Sequence, residues 1–130
     1  MFSRILAPTD GSPRSNRALA VAARLAHSTG AVLTLFHAVR SESPFGDPMS
    51  FNPAKLRARA RSLAKRYQLA VEVVHTRSDT PAQAIVAAAG NCGANVIVMA
   101  CRGHKGIESL LVGSETQRVL ARAQIPVLLV

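Results

Sequence analysis

Two segments of the chain, AVLTLFHAV at residues 31–39 and NVIVMA at residues 95–100, are apolar at almost every position. A strand with one face in water alternates polar and apolar side chains, whereas a strand covered on both faces is apolar throughout. The two segments therefore predict central strands of a sheet that carries helices on both of its faces. This requirement restricts the chain to α/β architectures with a largely parallel sheet.

Local signals predict three further strands and four helices. RILAP at residues 4–8 is a short apolar run that stops at a turn cluster, and VEVVHT at residues 71–76 alternates as an edge strand does. Ser12-Pro13 and Thr80-Pro81 each join an N-cap to a proline at the first helical position. A long loop is expected at residues 40–53. The remaining predictions are helices at 13–30, from Ala54, from Pro81 to Gly90 and from a cap at Ser114, and a last strand at 126–130.

The resulting order, β-α-β-α-β-α-β-α-β, predicts one α/β domain over residues 1–130. The domain is expected to be doubly wound, with a five-stranded parallel sheet and right-handed crossovers. In such sheets ligands bind beyond the carboxyl ends of the central strands, where the strand order reverses. Those ends are predicted at Thr9-Asp10, at His37-Ala38 and at Met99 to Gly103.

The segment CRGHKGIESLLVGSE, residues 101–115, follows one of these strand ends and is rich in glycine. Glycine lets backbone N–H groups approach an anion closely, and a helix N-terminus adds unpaired donors and the positive end of its dipole. Gly113-Ser114 ahead of Glu115-Thr116 predicts such an N-terminus. Taken alone, the segment also fits a plain turn in which Ser114 only caps the helix. Neither GxxxxGK[ST] nor GxGxxG occurs in the chain.

From Met99 onward, the sequence resembles the nucleotide-binding signature of the universal stress protein family, Gly-x2-Gly-x9-Gly-Ser/Thr, at Gly103 and at Gly113-Ser114. The first glycine of the signature falls on Ala100, where this sequence departs from the pattern. ILAPTDGS, LFHAV and the tail VGSETQRVLARAQIPVLLV are similar to other family segments. The resemblance runs from residue 4 to residue 130 and is weakest over 40–70. It implies a Rossmann-like fold of the adenine nucleotide α hydrolase type, with strand order 3-2-1-4-5.

The resemblance also implies an ATP site, with ADP or AMP as alternative ligands and Mg²⁺ as an optional companion. Asp10 would accept hydrogen bonds from the ribose or the base, and glycines would let backbone amides reach the phosphates. The implied contacts are Pro8, Thr9 and Asp10 at the adenosine, Ala38 at the adenine, Met99 and Ala100 at the ribose, and Arg102, Gly103, Gly113, Ser114, Glu115 and Thr116 at the phosphates.

The expected function is that of a nucleotide-binding regulatory or stress-response protein with weak or no hydrolysis. The sequence shows no paired carboxylates for Mg²⁺ and no evident base to position a water, so strong ATPase chemistry is not expected. A phosphoacceptor receiver domain is disfavoured, because it needs an acidic pair after the first strand and only Asp10 follows that strand. The alternative is a stress protein that binds no nucleotide and acts through protein or nucleic-acid contacts. Ala100 leaves that alternative open.

The chain carries sixteen Lys and Arg residues against seven Asp and Glu, a formal charge of +9. Such an excess suits an anionic partner. Six of the bases lie within residues 55–66, where there is no acid, but such a run is usually the solvated face of a helix. The aromatic content, 4%, is low for stacking on single strands. Nucleic acid is therefore not the expected partner.

No apolar run approaches the roughly 18 residues of a membrane span, and the first residues lack the apolar core of a secretory signal. A cytoplasmic protein without a membrane partner is expected. Cys92 and Cys101 lie in no metal-ligand spacing, so we expect buried thiols and no metal site. The apolar last strand, Pro126–Val130, would leave a hydrophobic sheet edge and predicts a homodimer. The family resemblance implies the same contact.

Overall fold

The structure, a computed structural model, describes residues 2–39, 53–101 and 112–130. Within these ranges strands and helices alternate as predicted. The predicted loop at 40–53 lies outside the described residues except for Pro53, and so do Arg102 and Gly103. The elements are β1 (Arg4–Pro8), α1 (Pro13–Thr29), β2 (Val32–Val39), α2 (Pro53–Tyr67), β3 (Val71–Arg77), α3 (Pro81–Cys92), β4 (Val96–Met99), α4 (Ser114–Arg122) and β5 (Val127–Leu129).

The five strands form one parallel sheet in the order β3-β2-β1-β4-β5, which confirms the predicted topology. β1 is the central strand, with Ile5 opposite Leu33 of β2 on one side and opposite Val96 of β4 on the other. The chain first adds β2 and β3 outward from β1, and then crosses to the other side of β1 to add β4 and β5. The strand order therefore reverses between β1 and β4, and β3 is an edge strand as its alternating sequence indicated.

Helices cover both faces of the sheet, α1 and α2 on one face and α3 and α4 on the other. Side chains of β2 show the division, because Leu33 and Leu35 pack with the first pair of helices and Phe36 packs on the side of α3. The residues of α1 and α2 that are buried against the sheet are Leu19, Ala22, Ala23, Ala26, Leu56, Ala60 and Leu63. Burial from both sides explains why β2 and β4 are apolar at nearly every position.

Capping is observed at both ends of α1 and at the C-terminal end of α3. The Oγ of Ser12 accepts a hydrogen bond from the N–H of Ser15 at 3.2 Å, and Gly30 ends α1 with a left-handed φ of 70°. The prediction that α3 ends at Gly90 is wrong, because the helix continues to Cys92. Gly93 provides the left-handed C-cap instead, with a φ of 69°. A glycine inside a helix costs only about 1 kcal/mol relative to alanine, so Gly90 does not stop the helix.

The prediction that Ser114 caps α4 is also wrong. Gly113 occupies the N-cap with an extended backbone (φ −60°, ψ 154°), and its carbonyl accepts from the N–H of Gln117 at 2.9 Å. Ser114 is the first helical residue. This shift leaves the start of α4 without a capping side chain.

Two smaller expectations can be compared with the structure. Cys92 and Cys101 are half-buried free thiols, whereas the sequence predicted buried ones. Across the described residues, none of the helices is both long enough and apolar enough to cross a lipid bilayer.

Candidate functional site

The carboxyl ends of β1 and β4 lie side by side where the strand order reverses. Leu6 of β1 pairs with Ile97 of β4. The residues after these strands, Thr9-Asp10 and Ala100, therefore leave the sheet side by side at its carboxyl end. Crossover connections depart to opposite faces at such a point and open a crevice, which is where α/β sheets of this type bind ligands.

A hydrogen-bond network holds the residues after β1. The N–H of Thr9 donates to the carbonyl of Phe36 at 2.8 Å, and its Oγ1 lies 3.0 Å from the Oγ of Ser15 in the first turn of α1. The Oδ1 of Asp10 accepts from the N–H of Ser12 at 2.9 Å. Thr9 is buried by these contacts and Asp10 is exposed. Asp10 is therefore the side chain of this turn that can reach a ligand.

The start of α4 is tied to the end of β4. The buried hydroxyl of Thr116 donates to the carbonyl of Ala100 at 3.1 Å, and the N–H of Gly113 donates to the carbonyl of Cys101 at 2.8 Å. These bonds place the first turn of α4 at the carboxyl end of the sheet, where Asp10 also lies. They also occupy the hydroxyl of Thr116, so the exposed side chain of Ser114 carries the accessible hydroxyl of this turn.

The same strand end is bonded to the last residue of the chain. The N–H of Cys101 donates to the carbonyl of Val130 at 3.0 Å, and the N–H of Val130 donates to the carbonyl of Met99 at 3.0 Å. Gly113, Cys101, Val130 and Met99 thus form one continuous series of backbone hydrogen bonds. The series links the start of α4 to the edge of the sheet at β5.

The starts of α1 and α4 both lie at the carboxyl end of the sheet, and they differ in how their backbone donors are satisfied. In α1 the side chain of Ser12 accepts one amide, and Pro13 has no amide hydrogen to satisfy. In α4 no side chain caps the helix, and the amides of residues 114–116 precede Gln117, whose N–H is the first that donates to an intrahelical acceptor, the carbonyl of Gly113. Among the described residues these three amides have no acceptor, and they lie with the positive end of the helix dipole at the end of the sheet where β1 and β4 stop.

Glu115 adds a carboxylate to the first turn of α4. Its Oε1 accepts a hydrogen bond from Nη1 of Arg118, three residues further along the helix, in an ion pair. The guanidinium offsets the charge that would otherwise oppose an anion at this helix start. Because the pair is partly exposed to solvent, it adds little to stability.

His37 lies in β2 next to the strand end and is only 7% exposed. Burial lowers the pKa of His37 from its ordinary 6.5 to about 4, against the opposing effect of the nearby Asp10 carboxylate, and His75 on β3 lowers it slightly further. His37 is therefore neutral at pH 7. Its burial makes it a core histidine, and its electrostatic interaction with Asp10 was not predicted.

Burial of His37 predicts that the free energy of unfolding falls as the pH falls from about 6.5 to about 4. Within this window the unfolded chain binds the proton and the folded chain does not, so acid favours unfolding, by about 3 kcal/mol at the full shift. Urea unfolding at pH 7 and pH 4.5 measures the effect. His37→Gln should flatten the profile, and the exposed His27→Gln should keep it. Equal profiles for His37→Gln and the wild type would contradict the burial effect.

Of the twelve residues predicted to contact nucleotide, the structure describes ten, because Arg102 and Gly103 lie outside the described ranges. The ten occupy the ends of β1, β2 and β4 and the first turn of α4. Ala38 is half-buried at the end of β2, and Met99 and Ala100 are buried. Gln68 is the one non-glycine residue of the described ranges with a positive φ, so the backbone at Ala100 does not require glycine.

A cavity of about 300 Å³ lies elsewhere, between β3 and α3. It contains none of the twelve predicted residues. Its walls are largely apolar, and Thr34, whose Oγ1 has no hydrogen-bond partner among the described residues, lies in its lining. The cavity presents no charged side chain for a phosphate. In the part of the chain that the structure describes, no three His, Cys, Asp or Glu residues come together as metal ligands.

A sequence model of the universal stress protein family matches residues 1–130. The universal stress protein in the QAH/OAS sulfhydrylase 3′ region of Thermus aquaticus is 37% identical over 137 residues, which cover 100% of this chain and 99% of that protein.

Solved structures of universal stress proteins share the fold. UspA from Lactobacillus plantarum has a TM-score of 0.81 at 20% identity, over 98% of this chain and 97% of that one. A universal stress protein in complex with cAMP has a TM-score of 0.74 at 23% identity, over 99% and 97% of the two chains. The protein from Archaeoglobus fulgidus in complex with dAMP has a TM-score of 0.73 at 21% identity, over 99% and 97%. At these identities the likeness shows a common fold.

Proposed function

The chain belongs to the universal stress protein family, and from that premise we propose that it binds an adenine nucleotide, in the first place ATP. The proposed site lies at the carboxyl end of the sheet, where β1 and β4 stop. Its role is regulatory, in a stress response, and depends on whether nucleotide is bound. The observation that carries the proposal is the uncapped start of α4, which the Thr116–Ala100 hydrogen bond holds against the end of β4.

The phosphates are assigned to the first turn of α4. Three amides there have no intrahelical acceptor, and the helix dipole favours negative charge at this position. Ser114 adds an exposed hydroxyl, and the ion pair with Arg118 offsets the charge of Glu115. The start of α1 is a weaker candidate, because Ser12 already accepts one of its amides.

The adenosine is assigned to the ends of β1 and β2, next to the phosphate position. Asp10 is exposed there and would accept hydrogen bonds from the ribose hydroxyls or the adenine amino group, while Ala38 offers backbone groups to the base. Met99 and Ala100 form an apolar wall on the β4 side. The complexes of similarly folded proteins with cAMP and dAMP support an adenine nucleotide over other phosphorylated ligands.

Nucleotide occupancy, with at most slow hydrolysis, is proposed as the functional signal. Fast phosphoryl transfer needs a held metal and a positioned attacking group. The described carboxylates in the turn after β1 and in the first turn of α4 are Asp10, which is bonded to the amide of Ser12, and Glu115, which is paired with Arg118. Neither arrangement provides the paired carboxylates that hold Mg²⁺ in such enzymes.

A homodimer through β5 belongs to the same proposal. Pro126 and Val130 bond to β4, so the alternation of the strand directs the backbone groups of Val127 and Leu129 away from the sheet. Three of the four large hydrophobic residues that are exposed in the described ranges, Leu120, Leu128 and Val130, lie in α4 or at β5. A second copy related by two-fold symmetry would pair both edges and cover these side chains.

ATP should raise the melting temperature of the protein. A ligand that binds only the folded state adds about 2.7 kcal/mol at a hundredfold excess over Kd, or roughly 8 °C for a chain of this size. Differential scanning calorimetry with millimolar ATP, and with UTP at equal ionic strength as the control, measures the shift. The same melting temperature with and without ATP, ADP and AMP would contradict the proposal and favour a stress protein that binds no nucleotide.

A further inference from the structure

The helices on one face of the sheet carry most of the positive charge. Neither α1 nor α2 contains an Asp or a Glu, α3 on the opposite face has no charged residue, and α4 has two bases and one acid. A general bias toward arginine would place bases on both faces of the sheet alike. The uneven distribution of charge is therefore a specific feature of the face formed by α1 and α2. The bases of this face, here called the basic face, are Arg14, Arg17, Arg24, Lys55, Arg57, Arg59, Arg61, Lys65 and Arg66.

The bases of the two helices form one surface. α1 and α2 pack on the same core, and Nη2 of Arg59 in α2 lies 3.5 Å from the carbonyl of Asn16 in α1. Arg57, Arg61 and Lys65 are exposed at four-residue intervals and form a stripe about 12 Å long. Exposed Arg17 and Arg24 lie seven residues apart along α1, on a common side of that helix. The sequence of α2 alone fits a solvated helix, but the neighbouring helix adds three more bases.

Among the described residues, no acid forms an ion pair with the basic face. Within the ranges that the structure describes, the ion pairs are Arg4 with Glu72 and Arg118 with Glu115, and none involves the basic face. Nη1 of Arg14 and Nε of Arg59 are buried without a hydrogen-bond acceptor there. Repulsion among like charges destabilises the folded state, and a bound anion would relieve it.

We propose that the basic face binds the phosphate backbone of double-stranded nucleic acid without reading its sequence. Contact with phosphates needs only positive charge and hydrogen-bond donors. Seven of the nine bases are arginines, whose planar fork matches two phosphate oxygens at once. None of the nine bases is among the residues proposed to bind the nucleotide, so this inference does not depend on ATP binding.

Membranes and acidic proteins fit the basic face less well, because α1 and α2 expose no large apolar side chain that could anchor either partner. A helix that lies in a membrane interface inserts its apolar side, but Leu56, Ala60 and Leu63 of α2 are buried against the sheet. Protein interfaces are built around apolar or aromatic anchors. In the described ranges, the exposed large hydrophobic residues all lie outside α1 and α2.

Single strands also fit the basic face less well than a duplex. Binding of single strands relies on aromatic side chains on which bases stack. Tyr67 is the aromatic residue of the two helices. It packs against the core, and the guanidinium of Arg66 lies 5.4 Å from its ring centroid. The ring is therefore already occupied on one side.

Fluorescence anisotropy with a labelled duplex DNA of about 24 base pairs tests the proposal. If about five phosphates are contacted, log K should fall against log[KCl] with a slope of about −4.5, and binding at 50 mM KCl should be on the order of micromolar. Two duplexes of unrelated sequence should bind within about twofold of each other, because phosphate contacts carry no sequence information.

Charge-removing variants locate the binding surface. Arg57→Gln/Arg61→Gln, and separately Arg17→Gln/Arg24→Gln, should weaken binding about tenfold at 100 mM KCl and reduce the magnitude of the salt slope by up to about 2. Arg4→Gln/Arg122→Gln removes the same charge from outside the basic face, because Arg4 pairs with Glu72 and Arg122 lies on α4, and it is the matched control. We expect the control to bind within about twofold of the wild type, with all three variants folded by circular dichroism.

Several outcomes would overturn the proposal. Absence of binding to duplex DNA at 50 mM KCl would do so. A control variant that loses as much DNA affinity as the helix variants would also do so, because net charge alone would then explain the loss. Equal affinity for poly-glutamate would indicate an acidic protein partner. Tighter binding to phosphatidylserine vesicles would indicate a membrane, and tighter binding to the single strand would exclude the duplex.

Discussion

Gly113→Asp should abolish ATP binding and slightly stabilise the fold. An aspartate at the N-cap of α4 would accept a hydrogen bond from an amide of the first turn and would place a negative charge where the phosphates are proposed to bind. The backbone angles of Gly113, φ −60° and ψ 154°, are open to any residue, so the change introduces no backbone strain. We expect affinity in isothermal titration calorimetry to fall at least 100-fold.

The stability of Gly113→Asp separates this explanation from misfolding. Aspartate is preferred over glycine at an N-cap by a few tenths of a kcal/mol, and the dipole adds about 0.3–1 kcal/mol, so the urea midpoint should rise. Thr80→Asp is the matched control, because Thr80 is the N-cap of α3 and its side chain makes no capping bond. It should keep ATP affinity within about threefold. Wild-type affinity in Gly113→Asp would show that the phosphates bind elsewhere.

Leu128→Asp should convert a homodimer into a monomer. Leu128 is 42% exposed in the edge strand β5, and a carboxylate buried in a strand-to-strand contact costs several kcal/mol unless it is paired. Light scattering at micromolar concentration should give the wild type a mass of twice 13.8 kDa and the variant a mass of 13.8 kDa.

Val74→Asp is the matched control for this second prediction. Val74 lies in β3, the other edge strand, and is 40% exposed, so the substitution adds the same charge to a similar surface. We expect this variant to remain dimeric. A wild-type mass near 13.8 kDa would reject the dimer, and a monomeric Val74→Asp would move the contact to β3.

The elements of the fold were predictable where one local signal dominated. Continuous apolar runs identified β2 and β4, because only a strand covered on both faces tolerates them. Ser12 with Pro13 identified the start of α1, where the cap is observed. At α4 the local signal failed: serine is a better cap than glycine, but the helix begins one residue earlier than predicted, and long-range bonds from Gly113 to Cys101 and from Thr116 to Ala100 accompany this start.

The candidate site was predictable in outline, because resemblance to a family carried information that spacing alone does not. Asp10 and Ala100 are ninety residues apart in the sequence and lie at the same end of the sheet only because β1 pairs with β4. The effect of Asp10 on His37 depends on burial, which a local pattern does not reveal. The basic face likewise required the packing of α1 beside α2, since neither helix shows the combined charge by itself.

The backbone hydrogen bonds from Gly113 through Cys101 and Val130 to Met99 have a consequence for assembly. They connect the proposed phosphate position directly to the edge strand β5, only one strand away. A ligand that changes the position of Gly113 would therefore change the edge that a second copy has to match. Such coupling is reciprocal, because any preference of the ligand for the paired form equals the preference of pairing for the occupied form. Two copies joined at β5 would then fill their sites cooperatively, and the strand edge would transmit occupancy from one subunit to the other.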